Sequence, residues 1–157
     1  MDKIILRKMN KIAENFFGTN DNSEQIPINN ESFEKLQKLH SETFAYKLED
    51  GEPISWAVIL PTSNDLADKF LNGKITERNL LDLSKSRNSY DALYLCAVFT
   101  VPEYRHNGYA LEMLKQGIEN IPHSKNAKLF AWPYSAEGNI LIKKLEKELN
   151  LPIKLRR

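Results

Sequence analysis

The stretch "DALYLCAVFTVPEYRHNGYALEMLKQGIENI", residues 91–121, decides how this chain is read. From Ala92 to Val101 it is almost continuously apolar and rich in β-prone residues. That is too continuous for a strand with one wetted face, and it predicts a central strand buried on both faces. Toward its end Leu111, Leu114, Ile118 and Ile121 recur at helical spacing, and Pro122 stops the helix they define. Between the two lies "VPEYRHNGYA", Val101–Ala110, where polar and small residues replace the apolar run. A buried strand that turns through a glycine into a helix builds an anion site. The first amides of the helix have no intrahelical partner, and the macrodipole puts partial positive charge there. Gly108 lets the backbone approach a phosphate without a Cβ in the way, Ala110 keeps the next turn small, and Arg105 adds a positive charge at the mouth. One glycine before a helix is also an ordinary structural turn, so Gly108 alone does not decide between the two.

Working outward, Ile5, Met9, Ile12 and Phe16 mark an amphipathic helix that Gly18 ends, and "GTNDNSEQ" is a polar loop. Phe33, Leu36 and Leu39 suggest a second short helix, capped by Asn30 or Ser32. "TFAYKLEDGEPISWAVILPT" reads as a hairpin: Phe44, Tyr46 and Leu48 alternate, Asp50-Gly51 turns, Ile54, Trp56, Val58 and Leu60 alternate back, and Pro61 closes it. A polar stretch follows with two helical hints. One runs from Asn64-Asp65 to Asn72-Gly73, and the other is capped by Thr76 with Leu80 and Leu83 on one face. After the decisive stretch, "AKLFAW" is a second buried strand, Ser135 caps a last helix with Ile142, Leu145 and Leu149 inward, and "LPIKLRR" offers a short final strand. Strand–helix–strand order implies a parallel pair with a right-handed crossover, beside antiparallel neighbours from the hairpin. The expected fold class is α/β (α+β), a mixed, mostly antiparallel sheet with helices on both faces.

The chain has 157 residues, enough for one domain that buries about two-thirds of its unfolded surface. Its formal net charge of +1 gives no global attraction to nucleic acid or anionic lipid. The first residues, "MDKIILRKMN", carry charges on both sides of a short apolar run and do not read as a signal peptide. The longest wholly apolar run, "WAVIL", falls far short of the ~20 residues of a membrane span. Cys96 is the single cysteine, which excludes an internal disulfide and, with scattered histidines, a structural zinc site. These features lead us to expect a cytoplasmic protein without a metal, a nucleic-acid partner or a membrane partner.

"VPEYRHNGYA" resembles the acyl-CoA-binding motif of the GNAT superfamily of N-acetyltransferases, R/Q-x-x-G-x-G/A, with Arg105, Gly108 and Ala110 at its three defined positions. "VFTVPEYR" is similar to the strand end that precedes the motif, and "KLFAWPYSAEGN", with Asn139, to the later strand–helix continuation. The likeness spans about residues 43–150. It implies a single GNAT-like domain over 1–157, with an N-terminal helical part (1–40), a helical insertion (62–90) and an acyl-CoA-binding core (91–150). It implies a splayed parallel strand pair that holds acyl-CoA. The main chain of Val98, Phe99 and Thr100 would pair with the pantetheine arm. The turn and first helical amides at His106, Asn107, Gly108, Tyr109, Ala110 and Leu111 would grip the pyrophosphate, and Asn139 would reach the pantetheine or the thiol end. The implied co-substrate is acetyl-CoA, and the implied reaction is direct acyl transfer to a primary amine of a small molecule or peptide. Such transfer needs an amine that loses a proton, a donor for the oxyanion and a proton for the thiolate.

The chain departs from the family pattern in places that bear on this chemistry. Many members carry a tyrosine after the asparagine, in a pattern like N-x-x-A-x-x-L-Y. Here "NILIKKLE" puts Glu146 at that position, flanked by Lys143 and Lys147, and it reads as a solvated face residue. Tyr134, at the end of the last buried strand, is the candidate catalytic acid, with a packing aromatic as the simpler reading. Tyr94 and Cys96 read most simply as core, His106 as a solvated or phosphate-facing imidazole, and His40 as a surface residue at a helix end. The opening strand usual in the family has only "IPI", Ile26–Ile28, to supply it. The 62–90 insertion can shape the acceptor side, form a subunit contact in a homodimer, or be a surface ornament.

Two other readings compete with an active acetyltransferase. A catalytically impaired CoA-binding module is suggested by the missing tyrosine. A nucleic-acid or protein-interaction domain is disfavoured because the only compact basic cluster is the tail "IKLRR".

Overall fold

In the computed structural model, which describes residues 2–17 and 24–156, the hairpin forms where the sequence places it. Asp50 and Gly51 both take positive φ, 52° and 78°, which matches a two-residue turn to the right-handed strand twist. They join β1 (Phe44–Glu49) to β2 (Glu52–Thr62). Pro61 does not close β2, which runs one residue further and pairs Pro61 with Leu93 and Thr62 with Ala92. The long apolar run becomes β3 (Tyr90–Thr100), the helix after the turn α5 (Tyr109–Asn120), and the next strand β4 (His123–Ala131), which starts four residues before "AKLFAW". A helix, α6 (Ala136–Leu149), capped by Ser135, and a three-residue β5 (Ile153–Leu155) complete the chain.

The five strands lie in the order β1-β2-β3-β4-β5. The longer pairings, β1 with β2 and β2 with β3, are antiparallel, whereas β3–β4 and β4–β5 are parallel. This is a mixed α/β sheet with helices on both faces. On one face α5 and α6 bury Met113, Leu114, Ile118, Ile142 and Leu145 against Ile59, Leu93, Leu95 and Leu129. On the other, α1 (Lys3–Phe17), α2 (Asn30–Leu39), α3 (Asn64–Leu71) and α4 (Glu77–Leu83) cover Trp56, Val58, Leu60, Tyr94 and Phe130. Each such side chain removed from water contributes ~1.5–3 kcal/mol.

Several local expectations shift. The cap of α2 is Asn29, whose side chain accepts from Ser32 N–H at 2.8 Å, in place of Asn30 or Ser32. Ile26–Ile28 form no strand. They pack as irregular chain against the α1–α4 core, where Glu77 takes the Ile26 amide instead of a neighbouring strand. Phe16 is about half exposed, although its ring meets Phe99 at 5.3 Å. Gly18 lies outside the described residues. β3 is buried on both faces only from Ala92 to Leu95, because beyond that point one neighbouring strand leaves it.

Gly117 lets α5 lie directly on β2: a Cβ there would meet Ile59 Cγ1 at 2.7 Å. Ile59 is fully buried and cannot step aside. Gly117→Val is therefore expected to lower unfolding free energy by ~2 kcal/mol through overpacking, read from the urea midpoint at unchanged slope. A variant as stable as wild type would contradict this packing.

Candidate active site

β3 and β4 run in register from Ala92/Lys128 to Leu95/Ala131, and no pair follows. β3 nevertheless continues to Thr100, still paired with β2. The parting has a local cause on each strand. On β4 the residues after Ala131 are Trp132 and Pro133, and a proline has no N–H to give to a ladder. On β3 the register with β2 slips, Leu95 opposing Ile59 and Ala97 opposing Val58, so Cys96 is an inserted residue and forms a β-bulge.

The bulge sets what faces the gap. Val101 N–H donates to Ile54 C=O at 2.8 Å, so residues 97, 99 and 101 turn their main-chain groups to β2 and residues 98 and 100 turn theirs away from it. Of the three residues expected to present backbone here, Val98 and Thr100 face the gap. Phe99 faces β2, and its ring packs in the core against Trp56 at 5.0 Å. The Thr100 carbonyl is occupied by Arg105 Nε at 3.0 Å, which folds the Arg105 side chain back over the strand end, 5.8 Å from the Phe99 ring.

The turn after β3 delivers a bare helix N-terminus. Pro102–Tyr104 make one 3-10 turn, His106 and Gly108 take positive φ of 70° and 77°, and the Asn107 side chain donates to Tyr104 C=O at 3.0 Å. Gly108 is the N-cap of α5 and no side chain caps it. The amides of Tyr109, Ala110 and Leu111 precede the first intrahelical bond, Glu112 N–H to Gly108 C=O at 3.1 Å. Asn139 is exposed, and its amide donates to Ser135 C=O at 3.0 Å, whereas its neighbour Gly138 lines the space described next.

A cavity of about 670 Å³ passes through the gap. On the α5/α6 side it is walled by Leu114, Gly138, Leu141 and Ile142, at the sheet by Leu95–Val98 and Ala131, and on the other side by Gln25–Ile28, Phe33, Leu36, Val58, Glu77 and Trp132–Ser135. It joins the two faces of the sheet where β3 and β4 part.

Glu77 was not singled out in the sequence, where an acid at the first position of a helix looks like ordinary dipole compensation. The fold buries it to 5% exposure, with Oε1 accepting Ile26 N–H at 2.8 Å and Oε2 accepting the Tyr94 hydroxyl at 2.5 Å. Burial raises its pKa above the ordinary carboxylate value, opposed by the Tyr94 and Ile26 hydrogen bonds and the nearby Arg156 charge. Arg156 is clamped between Phe70 and Trp132, at 4.5 and 4.4 Å from their rings, and donates to Ile75 C=O at 3.0 Å. Tyr94, expected to be core, is buried but carries its hydroxyl to Glu77, and burial pushes its pKa well up. Cys96 borders the cavity half-buried, and desolvation raises its thiol well above its usual range. Tyr134 is 60% exposed, stacks on Trp132 at 4.9 Å and lines the cavity. Desolvation and the Glu77 carboxylate keep its phenol protonated beyond its ordinary range.

Glu146, expected to be a solvated face residue, is half-buried, and its Oε2 accepts Ile153 N–H at 2.9 Å, tying α6 to β5. The described residues contain no group of three or more His, Cys, Asp or Glu placed to hold a metal, and no helix long and apolar enough to cross a membrane.

Two solved structures share this architecture. One is the aminoglycoside N-acetyltransferase AAC(6')-Iy in complex with CoA, 17% identical, matched over 97% of this chain and 84% of that one with a TM-score of 0.52. The other is AAC(6')-Iy in complex with the bisubstrate analogue CoA-S-monomethyl-acetylneamine, 16% identical, over 100% of this chain and 90% of that one, TM-score 0.54. The fold is the GNAT fold, as the motif at Arg105–Ala110 implies. No protein-family model matches the sequence, and no curated protein matches it.

The Glu77 environment sets a pH test. Because its folded pKa is raised above its unfolded value, the stability it contributes is complete below the unfolded value of 4.5 and is lost as pH rises through the folded one. Glu77→Gln removes the titrating group, so its unfolding free energy is expected to gain on wild type as pH goes from ~4 to ~8 in urea titrations. A difference that stays constant with pH would mean that Glu77 is not held away from water.

Proposed function

We propose that the chain transfers an acetyl group from acetyl-CoA to a primary amine by direct attack within a ternary complex. The observation that carries this reading is the cavity at the parted β3 and β4, with a buried carboxylate in its wall, on a strand that leads through the next turn into the uncapped N-terminus of α5.

In this reading the diphosphate lies on the amides of Tyr109, Ala110 and Leu111, at the turn of His106, Asn107 and Gly108. The pantetheine arm runs beside Val98 and Thr100 as a pseudo-strand in the place β4 vacates, with Asn139 near its thiol end. The thioester then reaches the opening at Cys96–Val98, and the amine comes from the Ile26–Ile28 side. The incoming ammonium gives a proton to Glu77, whose raised pKa brings it nearer the working range of a general base. The nitrogen lone pair attacks the acetyl carbon, and the oxyanion meets the Val98 N–H directed into the gap. The carbon–sulfur bond breaks, and the thiolate takes its proton from Tyr134, which remains a phenol at neutral pH. The tyrosinate regains a proton from the acylated nitrogen, leaving neutral amide and CoA thiol, and Glu77 releases its proton to water. Holding two substrates in one cavity supplies much of the rate, so few side chains need act. Glu146 is bound to β5 and takes no part.

Two experiments test the reading. Gly108→Glu places a side chain and a negative charge at the diphosphate, and by calorimetry it is expected to abolish CoA binding. Gly108→Ala bears the same backbone strain of ~1–2 kcal/mol but adds only a methyl into open space, so it should keep most of the affinity, and Arg105→Ala should weaken binding less than the glutamate. If Gly108→Glu binds CoA as tightly as wild type, the diphosphate lies elsewhere. In steady-state assays Glu77→Gln should lower kcat by ~100-fold and remove the acidic limb of the kcat/KM profile, and Tyr134→Phe should lower kcat by ~10-fold, both with CoA affinity retained. Unchanged kcat in both variants would remove these residues from the mechanism.

A further inference from the structure

The amine side of the cavity has walls of one character. Ile26, Ile28, Phe33, Leu36, Val58 and Trp132 supply apolar surface, and among the described residues that line it Glu77 is the only acid. Each Glu77 oxygen already accepts one hydrogen bond, from Ile26 N–H and from Tyr94 OH. A carboxylate offers about four acceptor sites, which leaves about two, enough for a single ammonium. Two cationic groups lie close by, and the acids beside the outer side of this wall, Glu31 and Asp82, are paired with Lys35. Arg156 is held between Phe70 and Trp132 within electrostatic reach of Glu77, and Arg78 donates its Nε to Gln25 C=O at 2.6 Å beside the Gln25–Ile28 wall. Within the cavity a second ammonium on the same substrate would meet apolar wall and no second carboxylate among the described lining residues.

We infer that the acceptor is a monoamine carried on an apolar alkyl or aryl body, and not a polycation of the aminoglycoside kind. This rests on the proposed acetyl transfer and narrows it to a substrate class unlike the one named for the structures that share the fold. The physical reason is charge matching: one buried carboxylate neutralises one ammonium, and apolar walls reward an apolar body while leaving further charges unpaired. The volume of about 670 Å³ is shared with the thioester arm and lies in the range of small-molecule sites.

The test is steady-state release of free CoA thiol by the whole chain with acetyl-CoA and 2-phenylethylamine, spermidine or kanamycin, with CoA binding measured in parallel by thermal shift. The kcat/KM for 2-phenylethylamine is expected to exceed that of either polycation by ~100-fold, as expected when forcing even one unpaired ammonium against apolar walls costs more than a factor of ten. Ile28→Glu, which adds a second carboxylate to that wall, should shrink the ratio with the CoA thermal shift preserved. CoA protection together with kanamycin or spermidine turnover within tenfold of the monoamine, or with no monoamine turnover at all, overturns the inference. Absence of CoA protection instead overturns the acetyl-transfer reading beneath it.

Discussion

The architecture turns on a strand that keeps one neighbour and loses the other. β3 stays bonded to β2 to its last residue but is released by β4 after Leu95. A sheet interior normally leaves no backbone group unpaired, because an unmet N–H or C=O away from water costs about as much as a lost hydrogen bond. Here Val98 turns its main-chain groups toward a cavity and not toward dry core, and the Thr100 carbonyl, turned away from β2 as well, is met by Arg105 Nε. The two devices that hold the cavity open are inexpensive: an extra residue at Cys96 and a proline at 133. The strand that departs goes directly into the Ser135 cap of α6, and the Ala131 carbonyl is taken up from the other side by Arg156 N–H.

That geometry makes the helices on the two faces unequal in their work. α5 and α6 pack as an ordinary amphipathic pair, and the N-terminus of α5 is left without a cap because the chain arrives through Gly108 in a left-handed conformation. The other face is assembled from separate pieces: α2, the irregular Gln25–Ile28 segment and the α3–α4 unit, held on the sheet by the Lys128–Asp68 ion pair and by the Tyr94–Glu77–Ile26 chain of hydrogen bonds. Burying one carboxylate there is unfavourable by itself, and the two hydrogen bonds with a neighbouring guanidinium offset it only in part, as the raised pKa of Glu77 records. Groups kept in such a state are common where a proton must be exchanged near neutral pH.

Of the residues between the hairpin and β3, Glu77 reaches the cavity. Their two helices bring Glu77 beneath Tyr94, and the tail of the chain returns to stack Arg156 between Phe70 and Trp132. Of the three roles the sequence left open for 62–90, the proposed reaction uses the first, through Glu77.

The elements and their order were legible in the amino acids alone, because they rest on local rules. Alternation around Asp50-Gly51 marks a hairpin, an unbroken apolar run marks β3, helical spacing after Gly108 marks α5, and Ser135 and Thr76 cap where side-chain oxygens meet free amides. The uncapped turn at Arg105–Ala110 belongs to the same class, since its glycine and its position between strand and helix are neighbours along the chain. Only the tertiary structure decided where the sheet opens, that Glu77 is buried, that Tyr94 is its partner, and that Glu146 is half-buried and braces β5. Those facts depend on contacts between residues far apart in the chain: Ile26 and Glu77, Tyr94 and Glu77, Arg156 and Phe70. Burial and pairing of a charge are set by whatever arrives from elsewhere in the sequence, and no local pattern encodes that arrival.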